Sequence, residues 1–327
     1  MIQIEEDLIR HLGTVLNNSK KVLIMGHRNP DGDAIGSILG LNEVLTQRGK
    51  MCDLTTVDKV PKALLFLPCA EKIKHEFSIH NYDSIIICDS GAKPMTGFLE
   101  SHPELFDNST GIPVINIDHH SSNDNYGTIN IVDPLAASTT IIITEILLKL
   151  GWKISAPAAT ALLTGIYTDT GSFMHSNTNA FTLRIAARLL EKGANIRMIR
   201  KNIFKTTQIS TLKLWGRVLE NIQNKNGVTF STVTEDDFQA TKSHYSELTG
   251  IIDYVNSVPN SNFSIMLTER NGKVKGSLRT LNNNIDLSEL AGQFGGGGHK
   301  KAAGFTMSGK LKKEVKWTVI PQEEKNK

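Results

Sequence analysis

The sequence predicts an α/β protein in which a doubly wound parallel-sheet domain is joined by a helical linker to a smaller α/β domain. Three observations carry this. Short apolar runs rich in β-branched residues alternate with helical stretches through the first two thirds of the chain, and acidic residues and histidines fall directly behind the runs. From about Gly227 the pattern changes to strands with a turn signal between them. At 327 residues the chain exceeds the ~100 to 200 residues of a typical domain, so two cores are expected.

Lys21 to Met25 (KVLIM), Ser84 to Cys88 (SIIIC) and Ile112 to Ile117 (IPVINI) have the pattern of strands buried on both faces. Ile35 to Arg48, closed by Gly49, reads as a helix, and alternation of this kind builds a parallel sheet with crossover helices. Thr139 to Leu150, preceded by the small residues Ala136, Ala137 and Ser138, reads as a further helix, as does Ala156 to Tyr167. Phe181 to Lys192, closed by Gly193, is another, and Ile196 to Val218 is expected as a connecting helical stretch. VTFSTV, NFSIMLTE and KVKGSLRT then read as strands, the last two separated by Arg-Asn-Gly. The expected division is a first domain at 1–209, a helical linker at 210–226 and a second domain at 227–327, with a site in the cleft between the domains. A basic tail closes the chain.

The composition is 39% hydrophobic, 21% charged and 6% aromatic, which suits a compact soluble protein and leaves no low-complexity segment. A net charge of +3 and a pI near 8.6 are too mild for binding along long nucleic acid, whose affinity comes from many neutralised phosphates. A small anionic ligand remains compatible. The opening MIQIEEDLIRHL carries acids where a secretory signal needs positive charge, and no apolar run reaches the ~20 residues of a membrane span. Cys52, Cys69 and Cys88 show neither even number nor zinc spacing and read as reduced core residues. A cytoplasmic protein without membrane contact is expected.

In an open parallel sheet the carboxyl ends of the strands form the ligand crevice, so residues behind different strands converge although they are distant in sequence. Here these are His27, Asp31 and Asp33, then Asp89, then Asp118, His119 and His120. Pro30 and Gly32 supply a turn that aims one imidazole and two carboxylates at one centre, and the helix start that follows tolerates the carboxylates. Asp31 and Asp33 also suit plain helix capping, but capping needs one acid rather than a histidine and two. Mixed histidine and carboxylate ligands suit Mn²⁺, Fe²⁺ or Zn²⁺. Read singly, the Asp118-His119-His120 triplet is a weak signal, and Asp89 and Asp169 pass for ordinary caps or turns. Taken together they weigh more toward a metal site than any does alone.

Four segments in order resemble the DHH phosphoesterase family: HRNPDGDAIGS from His27, ICDSG from Ile87, the Asp118-His119-His120 triplet, and TGIYTDTGSF from Thr164. Near the end, GGGGHKKAAGF from Gly295 resembles the signature of the DHH-associated substrate domain, so the likeness covers nearly the whole chain. The resemblance implies two divalent cations, Mn²⁺ by preference. It places one on His27, Asp31 and Asp89 and the other on Asp33, Asp89, His119 and Asp169, with Asp89 bridging. It also implies that Asp118 orients a neighbouring histidine and that His120 faces the substrate phosphate or leaving oxygen, which makes Asp89, Asp118 and His120 the catalytic set. Two cations suit phosphoester hydrolysis because they clamp both oxygens, neutralise charge and activate water.

In the second domain the glycine run lets a backbone approach an anion closely. Gly296, Gly297, Gly298 and His299, with Arg279 and with Ser277 on the same strand face, are the candidate phosphate grip. Lys300 and Lys301 are weaker candidates. Length and motif order match the bacterial oligoribonuclease and pAp phosphatase group. That likeness implies hydrolysis of RNA of about two to five nucleotides, a ligand small enough to fit whole in a cleft, and dephosphorylation of 3′-phosphoadenosine 5′-phosphate (pAp). The alternative substrates are pApA and cyclic di-AMP, and a nucleotide sensor without turnover is the reading from another class. A homodimer is left open.

Overall fold

The structure, a computed structural model, describes residues 5–204 and 208–314. The chain divides into two compact units, Met1–Thr206 and Thr207–Lys327.

In the first unit α1 (Glu6–Asn18) leads into β1 (Lys21–Met25), α2 (Gly32–Gln47) and β2 (Met51–Thr55). β3 (Ser84–Cys88), β4 (Val114–Asp118) and β5 (Ile129–Val132) follow, then α3 (Thr139–Lys149), α4 (Ala156–Asp169), α5 (Ala180–Glu191) and α6 (Ile196–Phe204). The five strands form one parallel sheet in the order β2-β1-β3-β4-β5. Chain order reverses between β1 and β3, and in such a sheet the crevice for a ligand opens at that point, beyond the carboxyl ends. His27 follows β1 and Asp89 follows β3.

β3 and β4 are buried at every position, as continuous β-branched runs predict. Val22, Ile24, Ile86 and Ile115 face a core built with the helices, while Leu23, Met25, Ile85 and Ile87 face a second core with Ile79, Tyr82 and Phe98. On that second face Ile79 and Leu105 come from short 3₁₀ turns, and Pro94 and Pro103 each stand at the start of such a turn, where a missing amide proton costs least. The third strand starts at Val114, after Pro113, and not at Ile112. β1 and β3 agree with the sequence pattern residue for residue, whereas β2 and β5 were not expected. β2 is an edge strand with exposed Met51 and half-buried Cys52 and Asp53, a mixture that hides it.

Gly32, Gly36 and Gly40 recur every four residues, on one face of α2. α4 lies against that face. A Cβ at Gly36 would stand 2.5 Å from the Ala161 carbonyl oxygen, and one at Gly32 would stand 2.3 Å from Thr168 Oγ1. Only glycine permits this approach, which sets the start of α2 beside the end of α4.

The second unit runs α7 (Ile209–Glu220), β6 (Gln223–Lys225), β7 (Val228–Val233), α8 (Glu235–Thr241), α9 (Ile251–Val255), β8 (Phe263–Arg270) and β9 (Lys273–Arg279). It ends with α10 (Leu287–Gly292), β10 (Gly297–His299) and β11 (Ala302–Ser308). Its six strands lie in the order β10-β11-β9-β8-β7-β6, antiparallel except for β7 beside β8. One face packs Met266 against Leu214, Val218 and Ile252, and the other packs Leu278 and Phe305 against Leu287 and Ala291. Most of the segment expected as a linker, 210–226, is therefore α7, whose Leu214 and Val218 belong to this core. The stretch expected as one helix from Ile196 to Val218 is divided into α6 and α7, and residues 205–207 lie outside the described residues, as does most of the basic tail. Among the described residues no helix is long and apolar enough to cross a membrane.

Candidate metal centre

The turn after β1 brings His27 to two carboxylates. His27 Nδ1 donates to the Arg28 carbonyl at 2.7 Å, which leaves Nε2 to lie 3.7 Å from Asp31 Oδ1 and 3.5 Å from Asp89 Oδ2. Asp31 is also the N-cap of α2, accepting from the Asp33 and Ala34 amides. The capping reading and the cluster reading thus hold for the same side chain.

Asp33, in the first turn of α2, is fully buried against the start of a different helix, α3. Its Oδ2 accepts from the Thr139 amide at 2.6 Å, and its Oδ1 accepts from the Thr140 amide at 3.0 Å and from Thr140 Oγ1 at 2.7 Å. The N-terminus of α3 carries unpaired amides and a positive dipole end, so it holds a carboxylate there. Asp89 occupies a left-handed backbone conformation, φ 57°, immediately behind β3, and its Oδ1 accepts from Thr139 Oγ1 at 2.9 Å. That conformation is uncommon outside glycine, though aspartate adopts it more readily than most residues.

From β4 and α4 come the remaining groups. His119 Nε2 lies 3.5 Å from Asp89 Oδ1 and 3.6 Å from Asp169 Oδ2. His120 Nδ1 donates to the fully buried Asp118 at 2.7 Å, and Asp118 accepts a second bond, also 2.7 Å, from Asn123 Nδ2. Asn123 Nδ2 reaches the Ser90 carbonyl at 3.2 Å, so it ties the loop behind β4 to the one behind β3. His27, Asp31, Asp89, His119, His120 and Asp169 line one cavity of 210 Å³, with Met95 and Ser122 on its wall.

Three sets of these groups could hold a metal ion, each with ligand atoms within 4.8 Å of one another: His27, Asp31 and Asp89; Asp33, His119 and Asp169; and Asp89, His119 and His120. Burial, Asp89 and Asp169 together push the Asp33 carboxyl well above its ordinary pKa. Burial also lifts Asp169, to about 6, against the relief that His119 gives, and repulsion from Asp89 and Asp31 adds to the rise. Burial works against a charged His27, yet its bonds to Asp31 and Asp89 prevail and raise it to about 11. His120 is raised chiefly by its bond to Asp118. Carboxylates that repel one another in a cavity lined by no lysine or arginine are what divalent cations neutralise, and oxygen and imidazole donors are what such cations accept. The residues fit.

All six sequence-predicted metal ligands therefore converge, together with Asp118 and His120. The sequence reading missed Thr139, Thr140 and Asn123. The signal available for the first two is a Ser138-Thr139-Thr140 run opening an apolar helix, which by itself marks only an N-cap.

In the second unit β9 pairs antiparallel with β11, which pairs with β10, and residues directly opposite on such strands share a face. Ser277 faces Gly304 and Arg279 faces Ala302, while Gly297 and His299 face the same two residues from the other side. Ser277, Arg279, Gly297 and His299 thus share one sheet face, where Arg279 Nε lies 3.9 Å from Asp253. Gly296 and Gly298 serve the packing of β10 against β11: added Cβ atoms would stand 2.2 Å from the Gly304 carbonyl and 2.6 Å from the Ala302 carbonyl. The run read as an anion-binding loop is in part a strand.

Residues 21–166 match the DHH family, N-terminal domain, and residues 216–319 match the DHHA1 domain. A Thermus thermophilus protein named bifunctional oligoribonuclease and PAP phosphatase NrnA is 32% identical over 292 residues, 88% of this chain and 84% of that one. A Bacillus subtilis protein of the same name is 26% identical over 88% of this chain and 89% of its own length. The crystal structure of an exopolyphosphatase-related protein from Bacteroides fragilis superposes with a TM-score of 0.82 at 26% identity, covering 95% of this chain and 94% of that one.

Proposed function

The chain belongs to the DHH family, and from that premise we propose that it is a Mn²⁺-dependent phosphoesterase that hydrolyses very short oligoribonucleotides to mononucleotides and dephosphorylates pAp. The observation that carries the reading is the convergence of His27, Asp31, Asp33, Asp89, His119 and Asp169 at the switch point of a parallel sheet. The names of the Thermus and Bacillus relatives support the substrate class.

In this proposal His27, Asp31 and Asp89 hold one divalent cation and Asp33, Asp89, His119 and Asp169 a second. Bound there, the cations supply neutralisation of phosphate charge and acidification of water. Asp118 holds Nδ1 of His120, which fixes the ring and leaves Nε2 to carry a proton to the leaving oxygen. Asn123 keeps Asp118 in place. Ser277, Arg279, Gly297 and His299 offer one sheet face of the second domain to a substrate phosphate, where the arginine supplies charge and the small residues supply room.

The test is a length series of 5′-labelled RNA, from dinucleotide to 24-mer, incubated with Mn²⁺ beside an Asp89→Ala control. Release of mononucleotides from the short chains alone, with a dead control, supports the proposal. Cleavage of the long chain overturns the length preference. No cleavage at any length overturns the oligonucleotide assignment and leaves pAp, pApA and cyclic di-AMP to be tried.

A further inference from the structure

β9 carries more charge along its open face than the phosphate grip uses. Lys273, Lys275, Ser277 and Arg279 alternate with Val274, Gly276 and Leu278, and side chains two residues apart on a strand point the same way. Lys273 and Lys275 are exposed, Ser277 and Arg279 half-buried, and Gly276 and Leu278 buried against the core. On the neighbouring β11 the residues opposite this row are Ser308, Thr306, Gly304 and Ala302, all small, so the row stands clear on that side.

At the far end a fourth cation joins it. Arg270 lies directly opposite Lys273 on β8. Its guanidinium sits 4.7 Å from the centre of the Tyr245 ring, and Lys275 Nζ sits 5.5 Å from the same centre, so the ring gathers both cations. Tyr245, Arg270, Asn271, Lys273, Lys275 and Thr306 line a cavity of 330 Å³ whose lining has three cations and no carboxylate. Among the described residues of the second unit, ion pairs engage Arg217, Arg279 and Lys312 but none of these three.

The row advances about 6.6 Å per step and about 20 Å from Lys273 to Arg279. That step is comparable with the distance between successive phosphates in an extended nucleotide chain. A dinucleotide engaged at Arg279 cannot reach Lys273, whereas a chain with about four phosphates can.

We propose that Arg270, Lys273 and Lys275 form a distal phosphate site for the oligonucleotide substrate, which lies along β9 with successive phosphates on successive steps of the row from Arg279. The proposal rests on the reading of the second domain as the substrate-binding one. It makes the row a length gauge: affinity grows with each phosphate until Lys273 is reached and then stops growing.

The experiment compares wild type with a Lys273→Ala/Lys275→Ala double variant on RNA dinucleotide and pentanucleotide with Mn²⁺, across a range of salt. The variant is expected to raise the ratio of pentamer KM to dimer KM about tenfold, and to flatten the dependence of log KM on log salt for the pentamer by about 1.4, at about 0.7 per lost phosphate contact. Lys273→Arg/Lys275→Arg should restore both. An equal change for the two substrates, or none, overturns the proposal. Failure of the oligonucleotide reading shows separately, as a wild type that cleaves neither substrate. Fluorescence anisotropy of a labelled pentamer then decides the row on its own: weaker binding by the alanine variant supports it and equal binding overturns it.

Discussion

Thr140→Val removes one hydroxyl from the contact that holds Asp33. Thr140 Oγ1 donates to Asp33 Oδ1 at 2.7 Å, beside the amide of the same residue at 3.0 Å, and both side chains are fully buried. Valine keeps the shape that packs beside Gly165, where an added Cβ would stand 2.5 Å from Thr140 Cγ2, so the change is one of hydrogen bonding, at Asp33 and at Ser138 Oγ, 2.9 Å from the same hydroxyl. A hydrogen bond to a charged group contributes about 1.5–3 kcal/mol. This one lowers a carboxyl pKa that burial and the charges of Asp89 and Asp169 push well above its ordinary value. Its loss raises that pKa further, and a cation must then displace a more tightly held proton. At about 1.4 kcal/mol per factor of ten, Mn²⁺ affinity at neutral pH should fall about 10- to 100-fold, as is typical for the outer partners of metal ligands. Isothermal titration of metal-free protein measures it, with circular dichroism to show that the variant is folded. Thr140→Ser should recover most of the loss. A folded valine variant that binds Mn²⁺ within about twofold of wild type would refute the argument that α3 readies Asp33 for a cation.

Metal-free protein should melt at a lower temperature as pH rises. His27, raised to about 11, contributes stability that is complete below its unfolded value near 6.5 and is lost as pH climbs through 11, and Asp169, raised to about 6, acts in the same sense at lower pH. Added Mn²⁺ should therefore raise Tm more at higher pH, and a metal-free Tm that is flat between pH 6 and 9 would contradict the cluster's electrostatics. Gly36→Ala places a Cβ 2.5 Å from the Ala161 carbonyl; the overpacking costs about 1–3 kcal/mol, offset in part by about 1 kcal/mol of helix propensity. Urea denaturation reads the net effect, and a variant more stable than wild type by the full propensity gain would mean that the α2–α4 contact has slack. Asn123→Ala leaves Asp118 with one partner and should lower kcat about tenfold while Mn²⁺ affinity holds; a parallel loss of both would make Asn123 a support of the whole site instead of a support of His120.

The legible parts of the fold are those where one signal settles the outcome. The β1 and β3 runs are too short for helices and rich in β-branched residues, which marks them as buried strands, and the residues behind them converge once the sheet is parallel. β2 is illegible because an edge strand needs no apolar run. α1 was not assigned although Ile9, Leu12 and Leu16 recur at helical spacing and are buried. Thr139 and Thr140 were out of reach for another reason: their partner Asp33 is 106 and 107 positions away, and nothing local to either end marks the meeting. In the second domain the glycine run was legible as unusual but not as a strand, since its spacing is explained only by the β11 backbone beside it. Lys273 and Lys275 look like ordinary surface lysines until the register places Arg270 opposite the first and Tyr245 beside the second.

Because α4 meets the main chain of α2 with its own main chain at Gly36, and with Thr168 and Leu162 at Gly32 and Gly40, the approach of the two helices that carry Asp33 and Asp169 depends on three positions without a side chain. A joint of that kind has no spacer that substitution can trim. A residue larger than glycine at position 36, where the neighbour is main chain, must move α2 against α4, the helices that carry the two carboxylates. The wall of the cavity beside Asp169 is formed at Met95 and Ser122 by side chains instead. Descendants of this chain can therefore explore new phosphate esters by altering what the cavity admits while the hydrolytic centre is inherited intact.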